Sequence, residues 1–87
     1  SDDYYVINGI KLFLYHDKPQ DALNFIKQPS TKTLKENYVG NYSGFRNEIV
    51  DVEKLALEDL KDKKGLLKFF EKRNKPIEYV KTMYNLE

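Results

Sequence analysis

The amino-acid sequence predicts an α+β fold, in which a small antiparallel sheet packs against helices concentrated in the C-terminal half. Two observations indicate this fold class. Near the N-terminus, two β-prone runs flank an Asn-Gly pair, whereas apolar residues recur at helical spacing from residue 51 onward. The 87 residues contain no linker, internal repeat or low-complexity stretch, so we expect a single globular domain over residues 1–87.

The first predicted element is a β-hairpin. Two β-prone runs, residues 4–7 and 10–15, flank Asn8 and Gly9, a pair that accepts the positive φ angles of a type I′ turn. In the second run, alternate residues give one aliphatic face and one amphipathic, aromatic face, as expected of a strand. The segment therefore predicts two paired strands.

A helix is predicted after the hairpin. Asp17 is placed to cap its N-terminus, and Pro19 fits the first turn, where a missing N–H does no harm. Pro29 ends the helix near Gln28, because a residue before proline is pushed out of the helical region. The apolar side of this helix consists of Ala22, Leu23, Phe25 and Ile26.

Residues 29–45 fit two alternatives. Thr33 and Glu36 match a capping box and predict a short helix, whereas a strand through Tyr38 is the competing prediction. From there the chain turns through a glycine-rich stretch. A third strand is predicted over residues 45–50, which would complete the small sheet.

The C-terminal half predicts three helices. Asp51 is a plausible N-cap of the first, whose last turn is rich in lysine and whose C-cap is Gly65. The second runs to about Asn74, and Pro76 permits the third. Apolar residues give each helix one face: Val52, Leu55, Ala56 and Leu60, then Leu66, Leu67, Phe69 and Phe70, then Ile77, Val80, Met83 and Tyr84.

Composition excludes several chemistries. The chain has no cysteine, which rules out disulfides, thiolate metal sites, iron–sulfur clusters and cysteine nucleophiles. A net charge of +1 favours neither nucleic acid nor a membrane surface, and no apolar run approaches the roughly 18 residues that span a bilayer. We therefore expect no membrane partner and a cytoplasmic location. Frequent Lys, Asn and Tyr, which AT-rich codons encode, indicate a low-GC bacterium or its phage as the source.

The candidate catalytic and metal-binding residues have simpler structural explanations. His16 is the single histidine, and we expect it to lie exposed in a loop, because no cysteine or second histidine accompanies it. The carboxylates between Glu48 and Asp59 lack the spacing of a calcium loop and fit a solvated helix start. The sequence therefore predicts a protein that is not an enzyme and uses no metal or cofactor.

A basic run over residues 61–81 is a candidate polyanion contact. It holds eight Lys and Arg against three Asp and Glu, interleaved with aromatic residues that would stack on bases. The competing interpretation is a solvated helix face, since only one of the eight is arginine and the aromatics are also needed in a core. The candidate contacts are Lys61, Lys63, Lys64, Lys68, Lys72, Arg73 and Lys75.

A second candidate site lies around the glycine-rich turn. Tyr38, Tyr42 and Phe45 are suited to anchor a protein interface, because aromatic side chains add contact area at little entropic cost. The alternative is that they close the edge of a small core.

By elimination, the sequence favours binding over catalysis. The leading hypothesis is a small non-catalytic regulatory or protein-interaction module, from a phage or mobile element of a low-GC organism. The alternative is a DNA- or RNA-binding module that uses the basic C-terminal helices, residues 61–81.

Overall fold

The computed structural model describes residues 2–29, 31 and 43–86, with side chains from residue 5 onward except for residues 43–46. Throughout this described part the chain is helical and contains no strand, so the predicted α+β fold is wrong there. The helices are α1 (Asp2–Tyr15), α2 (Pro19–Ile26), α3 (Ser43–Asp59), α4 (Lys63–Lys72) and α5 (Pro76–Tyr84).

The predicted N-terminal β-hairpin is wrong, because residues 4–15 lie in α1. Ile7 and Ile10 are 2% and 0% exposed, and residues three apart share a face of a helix but point to opposite faces of a strand. Asn8 and Gly9 lie in the middle of α1, and neither adopts a positive φ. An Asn-Gly pair permits a type I′ turn without imposing it, and packing on other helices overrides β propensity.

The predicted third strand over residues 45–50 is also wrong, because it is the beginning of α3. Ile49, Val52 and Ala56 are all buried, and their spacing of three and then four residues continues one helical face across the predicted boundary. Asp51, the predicted N-cap, is exposed within this helix. The helix therefore begins eight residues earlier than its capping signal suggested.

The hydrophobic core lies among α1, α2 and α3, which contact one another pairwise. From α4, Phe69 joins it as a buried residue, and Leu66 and Phe70 pack against it from partly exposed positions. The helical hairpin α4–α5 is therefore fastened to the three-helix core through α4. The buried core residues are Ile7, Ile10, Ala22, Leu23, Ile26, Ile49, Val52, Ala56, Leu57 and Phe69.

The prediction of a helix starting at Pro19 with a buried apolar side is confirmed by α2, which ends at Ile26, two residues before the predicted end. Asp17 does not cap it. That residue has a φ of 56° and ends α1, so Lys18 occupies the N-cap position without a side-chain hydrogen bond. The predicted N-cap, Asp17, is therefore one position before the observed N-cap, Lys18.

Two interhelical turns share one geometry. Asp17 and Asn74 both adopt positive φ, 56° and 54°, and the lysine after each donates its N–H to a carbonyl of the preceding helix. Both lysines precede a proline, Pro19 or Pro76, that begins the next helix. This backbone pattern closes the end of one helix and reverses the chain into the next.

The predicted C-cap Gly65 lies instead in the first turn of α4. Its N–H donates to Asp62 Oδ1 over 2.9 Å, which makes Asp62 the N-cap of α4. The preceding helix ends at Asp59, and the positive-φ residue of the turn that follows is Lys61, with a φ of 53°, and not a glycine. Lysines predicted in one helix therefore lie in the turn and in the start of the next.

Candidate functional site

The predicted tyrosine site falls largely outside the described residues. Tyr38 and Tyr42 are not among them, and Phe45 is described only by its backbone, in the first turn of α3. A binding site at these three residues therefore stays a prediction.

An exposed apolar surface lies on α5. Ile77, Val80 and Tyr84 are 65%, 46% and 66% exposed, and we call these three residues the outer stripe. Their spacing of three and four residues places them along one side of the helix. Isolated exposed apolar residues are common on protein surfaces, but three large ones on one side of a nine-residue helix form a patch.

The other side of α5 attaches the helix to α4. Tyr79, Thr82 and Met83 are partly buried there, and no residue of this described helix is fully buried. The expected apolar face of Ile77, Val80, Met83 and Tyr84 is therefore divided. Its methionine turns inward, whereas the other three residues form the outer stripe. Periodicity identified the apolar residues of α5 but not the side that packs.

A basic cleft lies beside the outer stripe, between the start of α4 and the end of α5. Its volume is about 380 Å³, and no carboxylate is found among the described residues that line it. We call it the lysine cleft. The lining residues are Lys61, Lys63, Leu66, Lys81, Thr82, Asn85 and Leu86.

Backbone geometry at three helix ends positions these lysines. Lys61 lies at the positive-φ residue after α3, Lys63 begins α4, and Lys81 lies in the last turn of α5. Asp62 lies between the first two, but one of its carboxylate oxygens accepts the Gly65 N–H at the start of α4. Part of the local negative charge is therefore committed to a helix cap.

Arg73 belongs to the interior of the molecule rather than to a phosphate-binding face. Its guanidinium carbon lies 3.8 Å from the centroid of the Phe69 ring. Its two terminal nitrogens donate to the Phe69 carbonyl over 3.2 Å and to Glu53 Oε2 over 3.4 Å. The Glu53 and Arg73 side chains are 18% and 19% exposed, so the pair links α3 to the end of α4 in a largely desolvated position.

The other candidate polyanion contacts remain at the surface. Phe69, a candidate base-stacking residue, is buried in the core, and Phe70 is partly buried against it. The structure thus separates the predicted basic run into an internal arginine and an exposed lysine face. The exposed members are Lys61, Lys63, Lys64, Lys68, Lys72 and Lys75.

A second apolar surface lies between α1 and α3. A groove of about 510 Å³ includes Tyr15 and Leu55 in its lining, and Tyr15 is 86% exposed. At this groove Lys11 Nζ lies 2.9 Å from Glu48 Oε1, so these two charges neutralise each other. The remaining charged residue of the lining is Asp51, so the groove does not share the basic character of the lysine cleft.

Among the described residues, the candidate catalytic groups are His16 and the carboxylates between Glu48 and Asp59. His16 is exposed after the end of α1, and its ring meets Tyr15 edge-on with centroids 5.7 Å apart. Across residues 2–29, 31 and 43–86, no group of three or more His, Cys, Asp or Glu side chains is arranged to hold a metal ion. The assignment as a non-catalytic protein stays a prediction.

Membrane insertion was also assessed from helix length and hydropathy. Of the helices described, none has both the length and the apolar character required to cross a bilayer.

Comparison with known proteins gives no relative: no family model matches the chain, and no curated protein or solved structure matches it significantly. A proposal for its function therefore rests on the surfaces of the molecule.

Proposed function

We propose that this chain is a non-catalytic module that binds another protein through the outer face of α5. The observation that carries the proposal is the outer stripe, Ile77, Val80 and Tyr84, which is 46–66% exposed along one side of the helix. Burying such side chains against a partner contributes on the order of 1 kcal/mol each, at about 25 cal/mol per Å².

The stability of α5 makes the outward direction of these residues significant. A helix of nine residues is marginal in water on its own, so it depends on packing for its stability. α5 nevertheless packs only its partly buried side on α4 and keeps three large apolar residues in solvent. Folding does not require apolar residues at these positions, whereas a protein contact would bury them.

Nucleic-acid binding through residues 61–81 is the alternative, and the exposed lysines support it. Two features favour a protein instead. Arg73 is engaged with Glu53 and Phe69, and Phe69 itself is buried, so neither is presented to phosphates or bases. Of the outer stripe, Ile77 and Val80 are aliphatic and give no stacking platform, which leaves Tyr84 as its one aromatic.

Site-specific photocrosslinking in the source cell tests the proposal. A photoreactive amino acid replaces Val80 in one variant and Asn24, an exposed residue of α2, in a matched control. We expect the variant at position 80 to give a discrete adduct that protease removes and nuclease leaves intact. The captured protein, produced separately, should then bind the wild-type chain directly.

Two results would contradict the proposal. A nuclease-sensitive adduct at position 80 would establish the nucleic-acid alternative. Equal yields from positions 80 and 24 would show that the outer face of α5 has no preferred partner. The predicted cytoplasmic location is part of the same proposal, and fractionation of the crosslinked cells measures it directly.

A further inference from the structure

We infer that the partner presents an acidic, amphipathic segment, whose apolar residues cover the outer stripe while its carboxylates enter the lysine cleft. This inference rests on the proposed function, because it names the chemistry of the protein that α5 binds. It is carried by the position of the cleft next to the stripe and by the charge around both.

The stripe and the cleft form one continuous surface. Lys81 lines the cleft and follows Val80 directly, and it lies one helical turn beyond Ile77 on the same side of α5. At the other end, Tyr84 closes the stripe and the next two residues of the chain line the cleft. A single segment lying along α5 therefore contacts both.

The charge of this surface selects the partner. All three charged residues that line the cleft, Lys61, Lys63 and Lys81, are basic. Arg73 is paired with Glu53, whereas the three lysines of the cleft are exposed and no described lining residue opposes them. A basic partner would be repelled here, and a neutral one would desolvate ammonium groups without pairing them. A partner with carboxylates avoids the repulsion and pairs the ammonium groups.

The cleft also has an apolar component. Leu66 and Leu86 line it together with the lysines, and Leu86 is 57% exposed. A nucleic acid would satisfy the ammonium groups with phosphates but would leave these leucines and the outer stripe without apolar contacts. A peptide with carboxylates beside leucine-like side chains fits the whole surface.

Selection of displayed peptides tests this inference on the intact chain. Random peptides of about 16 residues, which form roughly four helical turns, are selected for binding to the wild-type protein. We expect the enriched peptides to be net acidic, with apolar residues three and four positions apart. Their affinity should fall as ionic strength rises, because the lysines are exposed and their pairing is screened by salt.

Two matched variants then locate the contact. Lys63→Gln with Lys81→Gln should weaken the selected peptides about tenfold, because two charge pairs are lost. Lys18→Gln with Lys27→Gln removes the same charge from exposed positions around α2 and should leave affinity unchanged. Circular dichroism verifies that both double variants remain folded.

The outcomes separate this inference from the proposed function. Enriched peptides that are neutral or basic, yet are lost with Ile77→Ser and Tyr84→Ser, would overturn the acidic partner and preserve protein binding. If no selected peptide loses affinity when the outer stripe is substituted, both the acidic partner and protein binding through α5 would be overturned. Competition by a single-stranded oligonucleotide at equal potency, with no enrichment of apolar residues, would assign the lysine cleft to nucleic acid instead.

Discussion

The two helical hairpins of this protein, α1–α2 and α4–α5, reverse the chain in the same way and then differ in what covers them. Each has a positive-φ residue, a lysine and a proline at the turn. In the first hairpin, α3 packs on both helices, and α2 buries Ala22, Leu23 and Ile26. In the second, α5 packs on α4 and has no buried residue among those described. The same turn therefore produces one buried second helix and one uncovered one.

Aligning the two helices at their prolines shows where the apolar excess of α5 lies. One residue after proline, α2 has Gln20 and α5 has Ile77; eight residues after it, Lys27 directly follows α2 and Tyr84 is the last residue of α5. All four residues are exposed. At these two positions the first hairpin places polar side chains in solvent and α5 places apolar ones, whereas the third residue of the outer stripe aligns with the buried Leu23. The comparison supports our proposal that the outer face of α5 contacts another protein.

The largest expected effect separates the covered hairpin from the uncovered one. Ile49 is 0% exposed in the α3 face that covers α1 and α2, so Ile49→Ala should lower the free energy of unfolding by about 3 kcal/mol. The same substitution at Ile77, on the outer stripe, should change it by less than about 0.5 kcal/mol. Urea denaturation measures both, and similar losses would show that α5 belongs to the core.

The attachment of the second hairpin depends on Arg73. Arg73→Gln removes the charge pair with Glu53 and the contact with the Phe69 ring, and it should cost about 2 kcal/mol because these groups are largely desolvated. Lys72→Gln, at an exposed neighbouring position, is the control and should be nearly neutral. If both substitutions lower the melting temperature by the same small amount, Arg73 would contribute no more to stability than an exposed lysine.

Substitution of Gly65, in the first turn of α4, should lower the stability of the protein. A Cβ at Gly65 would lie 2.9 Å from Leu57 Cδ2 and also against the Asp62 carboxyl that caps the helix. Gly65→Ala should therefore destabilise the protein by about 1 kcal/mol, despite the higher helix propensity of alanine. Because Asp62→Ala disrupts the same cap, the double variant should cost less than the sum of the single variants. Additive costs would contradict a shared cap.

The smallest effect has the opposite sign and tests α1. Gly9 lies within this helix with nothing near its missing Cβ, so Gly9→Ala should stabilise the protein by about 0.8 kcal/mol through helix propensity. In a type I′ turn the same substitution would be destabilising, because alanine disfavours positive φ. A calorimetric midpoint that falls rather than rises would restore the β-hairpin.

Local chemistry predicted the starts of α2 and α5 at their prolines. It also predicted the buried residues Ala22, Leu23 and Ile26, because their spacing is a signal within one helix. It failed for α1 and the start of α3, where Ile7, Ile10 and Ile49 gain their burial from distant partners. β-branched and aromatic residues favour a strand, but packing against other helices overrides this preference.

The candidate site, like the fold, was predicted only in part from the sequence. The sequence identified the exposed lysines, because charge clustering is local. It did not assign Arg73 to the interior, because its partner Glu53 lies 20 residues away along the chain. It also did not show which side of α5 faces solvent, because periodicity defines a face without identifying the neighbour that covers it.

The most direct test of the role of α5 is the dissociation constant of the crosslinked partner for two matched double variants. Ile77→Ser with Tyr84→Ser changes the outer face of α5, and Gln20→Ser with Lys27→Ser changes the equivalent positions of α2. We predict that the α5 variant binds at least about tenfold more weakly and the α2 variant binds normally, with both unfolding free energies within about 0.5 kcal/mol of wild type. Unchanged affinity in the α5 variant would contradict binding through this face.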